Sequence, residues 1–203
     1  MKPPSKHEAP CPFGASLQRY WNRLSEQERR MKLDVQALYS LVIQEMAAHT
    51  AAVTPGDVVV DAFCGAGGSA IGFARAGKRV TAIELDGDRL EMARYNAALF
   101  GVASHIAFIH GDSLQLLPTL KADTVYLAPP WGGPDYTKLS LFTFDHFEPN
   151  GNRLMELALQ HFTHVALQVP KNFDLNECKR YRSGASIYED RWNDELLSYT
   201  VVM

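Results

Sequence analysis

Cysteine is scarce and unpaired in this sequence. Its three cysteines, Cys11, Cys64 and Cys178, stand far apart, with none of the close spacings that hold zinc. That excludes a thiolate metal centre, makes a disulfide framework improbable and points to a reducing compartment. The seven histidines are scattered with no pair at a ligand spacing, so no metal is expected. Long apolar runs are missing too: no stretch could cross a bilayer and none has the build of a secretory leader. An excess of positive charge is also lacking. A formal net charge of −3 argues against a protein that coats long nucleic acid through its phosphates, while leaving room for a pocket that grips one nucleotide. There are no internal repeats and no low-complexity tracts.

What is present is an ordinary globular composition, 46% hydrophobic and 21% charged, long enough at 203 residues to bury a core in one α/β domain with a short extension. Residues 1–15, "MKPPSKHEAPCPFGA", read as a flexible tail. Residues 16–52 read as an N-terminal helical extension, amphipathic and charged in "SLQRYWNRLSEQERRMKLD" and then one helix through "VQALYSLVIQEMAAHTA". Basic residues cluster at Arg19, Arg23, Arg29, Arg30 and Lys32, and again at Lys179, Arg180 and Arg182; such clusters read as solvated helix faces.

From residue 53 to 203 the pattern changes. "VVVDAF", "KRVTAIEL", "HIAFIHGD", "DTVYLAPPW" and "HVALQVP" read as strands, separated by helical stretches, and "ASIYED" and "LLSYTVV" as two final strands. Strands and helices alternating at this spacing imply an α/β, doubly wound, mostly parallel sheet of seven strands. Right-handed crossovers place the strand carboxyl ends along one edge, where ligands bind in such sheets. The unusual residues all fall there: "DAFCGAGG", "AIELD", "HGDS" and "APPW".

Asp61 closes the first strand, and Gly65, Gly67 and Gly68 fill the turn after it, where glycine lets the backbone approach a ligand. The spacing differs from the dinucleotide fingerprint. A carboxylate at the head of the loop repels phosphate and suits an ammonium group. Glu84, ending the second strand, can accept two ribose hydroxyls, and Asp112, after the third, is placed to meet an adenine edge. An amino-acid end, a ribose and an adenine together describe S-adenosylmethionine, with S-adenosylhomocysteine as product. Cys64, Leu85, Ser113 and Ala128 complete the expected cofactor set.

The fourth strand runs into "APPWGGPDY". Pro129 and Pro130 remove two amide donors and fix φ, leaving the carbonyls of Ala128 and Pro129 to accept hydrogen bonds from a planar NH₂. Such a corner aligns an amine with a methyl donor, and alignment is most of what that transfer requires. Ala128, Pro129, Pro130 and Trp131 are therefore the candidate catalytic residues. Trp131 can lie against the planar group, and indole offers the most favourable aromatic face to a cationic base such as N7-methylguanine.

The combination "VVVDAFCGAGG", "AIELD", "IHGDSLQLL", "ADTVYLAPPWGGPDY" and "VPKNFD" resembles the trimethylguanosine synthase family over most of the chain. The resemblance implies a Rossmann-like class I S-adenosylmethionine-dependent methyltransferase acting on the guanine N2 amine of N7-methylguanosine caps of small nuclear and nucleolar RNA. It implies that Trp131 stacks on the methylated guanine, that Asp61, Glu84 and Asp112 hold the cofactor with Tyr39, in place of a family aromatic, covering it, and that Tyr136, Lys32 and Lys171 face the cap phosphates. It implies a capped-RNA partner and a nuclear location, nucleolar or partly cytoplasmic; no membrane partner is expected, and a monomer is. The chain departs from the family at Ala128, where Ser is usual, at Lys171, where Arg is, and at "LVIQ" after "ALYS", where the family has "VTPE". Two other readings stay open on the sequence: an amino-methyltransferase of internal RNA or DNA bases, and a cap-binding module without catalysis.

Overall fold

Ahead of the sheet, in a computed structural model that describes residues 10–203, come three short helices: α1 (Gln18–Trp21), α2 (Val35–Ser40) and α3 (Gln44–Val53). The single helix expected over residues 35–51 is broken at Leu41–Ile43, where the backbone is extended. The break has two visible causes. The buried Glu28 carboxylate accepts the Gln44 amide at 2.7 Å and so starts a new helix there. The extended backbone of Val42 also packs on Gly68, where a Cβ would lie only 2.4 Å from the Val42 carbonyl oxygen. The expected tail is anchored where it is described: Cys11 is buried with Trp21 and Leu38, and its amide donates to Gln18. Residues 1–9 of that tail lie outside the described residues.

The alternating part follows the expected order. It runs β1 (Val58–Asp61), α4 (Gly68–Arg75), β2 (Arg79–Glu84), α5 (Gly87–Leu99), β3 (Ile106–His110), α6 (Ser113–Leu116), β4 (Thr124–Leu127), α7 (Gly151–His161) and β5 (His164–Pro170). A hairpin, β6 (Ser186–Trp192) and β7 (Glu195–Val202), closes the sheet. The strand order is β3-β2-β1-β4-β5-β7-β6, with the first five parallel and β7 antiparallel to both neighbours. This is the Rossmann-like sheet that the pattern implies. The runs of Val and Ile in β1 and β4 are apolar on both sides because helices cover both faces: Val60, Val125 and Leu127 face a core with Phe142, Phe144 and α7, while Val59, Ala82 and Tyr126 face α4 and α5.

Two features position the site. The strand order reverses between β1 and β4, which opens a crevice at their carboxyl ends. And β4, expected to run to Trp131, stops at Leu127, because Pro129 and Pro130 have no N–H to continue a ladder.

Candidate active site

A cavity of about 940 Å³ runs along the carboxyl edge, floored by the ends of β1 to β5 and roofed by α1, α2 and the Leu41–Ile43 break. At its cofactor end Asp61 is completely buried, and Ala62, Phe63 and Ser69 form the wall in front of it. Its carboxylate accepts the Ser69 hydroxyl at 2.6 Å and the Phe63 amide at 3.4 Å. Burial, with the nearby charge of Glu84 adding to it and the Ser69 hydrogen bond opposing, pushes its pKa up to about 7. Of this hydrogen-bonded pair, Ser69 lines the cavity and Asp61 lies behind it.

Gly65 and Gly67 are not in the wall; Cys64, Ala66 and Gly68 are. Gly65 turns at φ +53° and donates its amide to Glu84 Oε2 at 2.8 Å. Gly67 and Gly68 admit the close approach of protein segments, Ala93 beside Gly67 and Val42 onto Gly68, while the space around Gly65 is open. Glu84 lines the cavity, its other oxygen accepting the Asp86 amide at 3.0 Å. One lone pair per oxygen remains for a diol. Asp112 and Ser113 line it as well; Asp112 caps α6 through the Leu114 amide, and Ser113 donates to the Ala62 carbonyl. Leu85 forms an exposed apolar lip, and Cys64 is a buried wall residue whose thiol burial holds well above the usual range, hence neutral. Arg89, the cation at this end, is taken up by Asp34 at 3.0 Å and Gln36 at 2.6 Å. The donor set is therefore acidic, with hydroxyl acceptors and an apolar lip, and it fits a cation bearing a ribose and a flat base. Among the described residues there is no cluster able to hold a metal ion and no helix long and apolar enough to cross a membrane.

At the other end, Ala128, Pro129, Pro130 and Trp131 form the wall beyond β4. Among the described residues no hydrogen bond reaches the carbonyl of Ala128 or Pro129. Trp131 is half-buried with its ring edge-on to Tyr136 at 5.2 Å, and Tyr136 meets the buried Phe142 edge-on at 6.5 Å. Asn172 pins the loop by donating to the carbonyls of Tyr136 and Leu139. These contacts fix Trp131 from one side. Tyr39 also reaches this loop, its hydroxyl lying 3.5 Å from where a Cβ on Gly133 would be. Burial holds the Tyr136 phenol above its ordinary value, so it stays a donor.

The phosphate set differs from expectation. Lys171 lines the cavity, but Lys32 does not. Asn96 clamps the Lys32 backbone in both directions, at 2.7 and 2.9 Å, and the ammonium sits 4.3 Å over the Tyr95 ring, on α5. Its place is taken by Arg19 and Arg23, expected on a solvated face yet in the cavity wall with Tyr20 between them. Arg23 pairs with Glu195 at 3.4 Å, and Arg19 donates to Tyr20 at 2.7 Å. The signal was the i, i+4 spacing of the two arginines around an aromatic, which sets them on one face of a turn. Arg30, Lys179, Arg180 and Arg182 are exposed as expected. Gln168 and Ser198, also in the wall, carried no sequence signal.

Sheet order, switch-point cavity and acidic strand ends define a class I S-adenosylmethionine-dependent methyltransferase. Solved structures agree on the fold: a precorrin-6y C5,15-methyltransferase from Geobacter metallireducens superposes with a TM-score of 0.60 at 13% identity, covering 89% of this chain and 96% of that one. TrmN from Thermus thermophilus gives 0.53 at 24%, covering 80% and 49%. The profile of the RNA cap guanine-N2 methyltransferases matches residues 56–196. Trimethylguanosine synthase of Schizosaccharomyces pombe is 30% identical over 188 residues, 85% of this chain and 78% of that protein. That of Saccharomyces cerevisiae is 31% identical over 129 residues, 60% and 41%. The chain belongs to the RNA cap guanine-N2 methyltransferase family.

Proposed function

We propose that this chain methylates the exocyclic N2 amine of an N7-methylguanosine cap on nuclear RNA, small nuclear and nucleolar RNAs being the expected class. The observation that carries the reading is a single cavity that holds, end to end, the acidic strand ends, the free carbonyls of Ala128 and Pro129 beside Trp131, and a cationic set of Arg19, Arg23 and Lys171. S-adenosylmethionine supplies an activated methyl group when bound, held by Glu84 and Asp112 with Asp61 behind Ser69. The residues then divide the work. Ala128 and Pro129 accept the two N2 hydrogens and aim the nitrogen lone pair; Trp131 offers its face to the cationic purine; Tyr136 donates to phosphate, and Arg19, Arg23 and Lys171 neutralise it. No residue has to act as a base before transfer, because the amine becomes acidic only once methylated.

The test is transfer of label from S-adenosylmethionine to N7-methylguanosine triphosphate against plain guanosine triphosphate. Transfer confined to the methylated nucleotide is expected. Equal transfer to both, or transfer to internal bases of an uncapped RNA alone, would reject a pocket built for a cationic base.

A further inference from the structure

One polar group in the cavity wall has no part in the chemistry above. Gln168, buried near the end of β5, stands next to Ala128, since Leu127 and Leu167 pair immediately before them. Its amide is fixed by a chain of hydrogen bonds across the sheet. The Tyr126 hydroxyl donates to Gln168 Oε1 at 3.1 Å, Gln168 Nε2 donates to Ser198 Oγ at 3.2 Å, and Ser198 Oγ donates to Asp190 Oδ2 at 2.9 Å. Asp190 is fully buried, and it also accepts the Thr200 hydroxyl at 3.0 Å and faces His49 Nδ1 at 3.3 Å. The carboxylate sets the direction of the whole chain. It can only accept, so the Ser198 hydrogen points to it and the Ser198 oxygen must accept in turn; the NH₂ of Gln168 must therefore face Ser198 and its carbonyl Tyr126. A glutamine free to flip would present either face with equal ease. This one cannot.

After those bonds Gln168 has one N–H and one carbonyl lone pair left. The edge of guanine presents N2–H, N1–H and O6 in a row: donor, donor, acceptor. A base held with N2 at the Ala128 and Pro129 carbonyls brings N1–H and O6 toward the neighbouring strand, where an amide offers one acceptor and one donor. A 2,6-diaminopurine keeps the reacting amine but reverses both remaining groups, N1 becoming an acceptor and position 6 a donor. We propose that Gln168, locked by Tyr126, Ser198 and Asp190, is the residue that selects guanine at the acceptor position by pairing with N1–H and O6. Gln168 touches the base; Ser198 and Asp190 act through it. The inference rests on the acceptor being a cap guanine.

The experiment compares kcat/KM for N7-methylguanosine triphosphate and N7-methyl-2,6-diaminopurine riboside triphosphate, both of which carry the 2-amino group. The native chain is expected to favour guanine by about 10- to 100-fold, the range of one bidentate base contact. Gln168→Leu should bring the two substrates to within about threefold, with S-adenosylhomocysteine affinity unchanged as the control for folding. Ser198→Ala leaves Gln168 in place but frees its amide, so it should narrow the preference as well, a result that a merely structural role for Ser198 would not give. An unchanged preference in a folded Gln168→Leu variant overturns the proposal; if that variant does not fold, an unchanged preference in Ser198→Ala overturns it. Transfer by the native chain to neither nucleotide overturns this inference together with the acceptor reading. Transfer to guanine with preferences unaltered in the variants overturns this inference alone.

Discussion

Asp61→Asn should make the cofactor-free protein more stable at neutral and basic pH while weakening cofactor binding. Asp61 is wholly inaccessible, and its carboxyl titrates at about 7 in the fold against an ordinary value of 3.8. Between those values the unfolded chain has released the proton and the folded chain still holds it. Folding stability therefore falls as pH rises through that window, by up to 1.36 kcal/mol per unit. Over the whole interval this amounts to about 4 kcal/mol, fully lost once the pH is above 7. Asparagine has the shape of the protonated acid, can accept the Phe63 amide through its one oxygen and donate from its NH₂ to the Ser69 hydroxyl, and does not titrate. The variant should thus match the native protein near pH 4 and exceed it at pH 8 by an amount approaching about 4 kcal/mol, less what the charge-assisted bond from Ser69 returns. Urea unfolding of both proteins at pH 5, 6, 7 and 8 measures the difference. A cationic ligand favours the ionised carboxylate, so in the native protein S-adenosylmethionine affinity should weaken as pH falls through 7, and in the variant it should be low and flat. A stability difference that stays constant from pH 5 to 8, or a variant less stable at pH 8, would refute the placement of a buried, destabilised acid behind Ser69.

The other predictions concern the substrate end and the glycine loop. Trp131→Ala should lower kcat/KM for the methylated cap roughly 10- to 100-fold, the loss of one base-stacking contact, with cofactor affinity intact by calorimetry; equal loss of cofactor binding would mean that the ring is structural. Arg23→Ala should raise KM for N7-methylguanosine triphosphate several-fold and leave the N7-methylguanosine nucleoside unaffected, because Arg23 serves the phosphates; Lys32→Ala should change neither, as its ammonium sits on Tyr95. Gly68→Ala should destabilise the fold by about 1–3 kcal/mol, the usual cost of overpacking, because the added methyl meets the Val42 backbone and not a flexible side chain. A Gly68→Ala protein with native thermal stability would show that the Leu41–Ile43 segment does not rest on the loop.

The sheet was legible because its signals are local. β-branched runs, glycine-closed helices and acidic strand ends each announce themselves within a few residues, and their order alone forces the parallel topology. The corner at Ala128–Trp131 was legible in its two prolines, although the strand was read through them to Trp131 and in fact stops at Leu127. The misreadings in the extension share one cause, which is contact across long sequence separation. Helical periodicity runs without interruption through "ALYSLVIQEM", and nothing nearby shows that Glu28 will cap Gln44 or that Val42 will meet Gly68. Lys32 and Arg23 look alike in sequence; Asn96 carries one away from the cavity, and the position of α1 carries the other into it. Asp61 was identified as chemically special, and its hydrogen bond from Ser69, eight residues later, depends on how α4 turns.

The broken helix gives the extension its role in the site. An unbroken helix through residues 35–51 would run straight past the glycine loop, with its backbone amides and carbonyls bonded internally. The break instead lays Leu41 and Val42 over Gly68, against the cofactor end of the cavity, and lets α2 carry Tyr39 to the loop that follows Trp131. The same segment that lines the acidic end of the cavity thereby touches the loop after Trp131, so the two ends of the cavity share one wall. Loosening that wall at Gly68 should therefore weaken both ligands together, whereas a change at Trp131 or Arg23 should affect the acceptor alone. That contrast separates a wall common to both half-sites from two neighbouring but independent pockets.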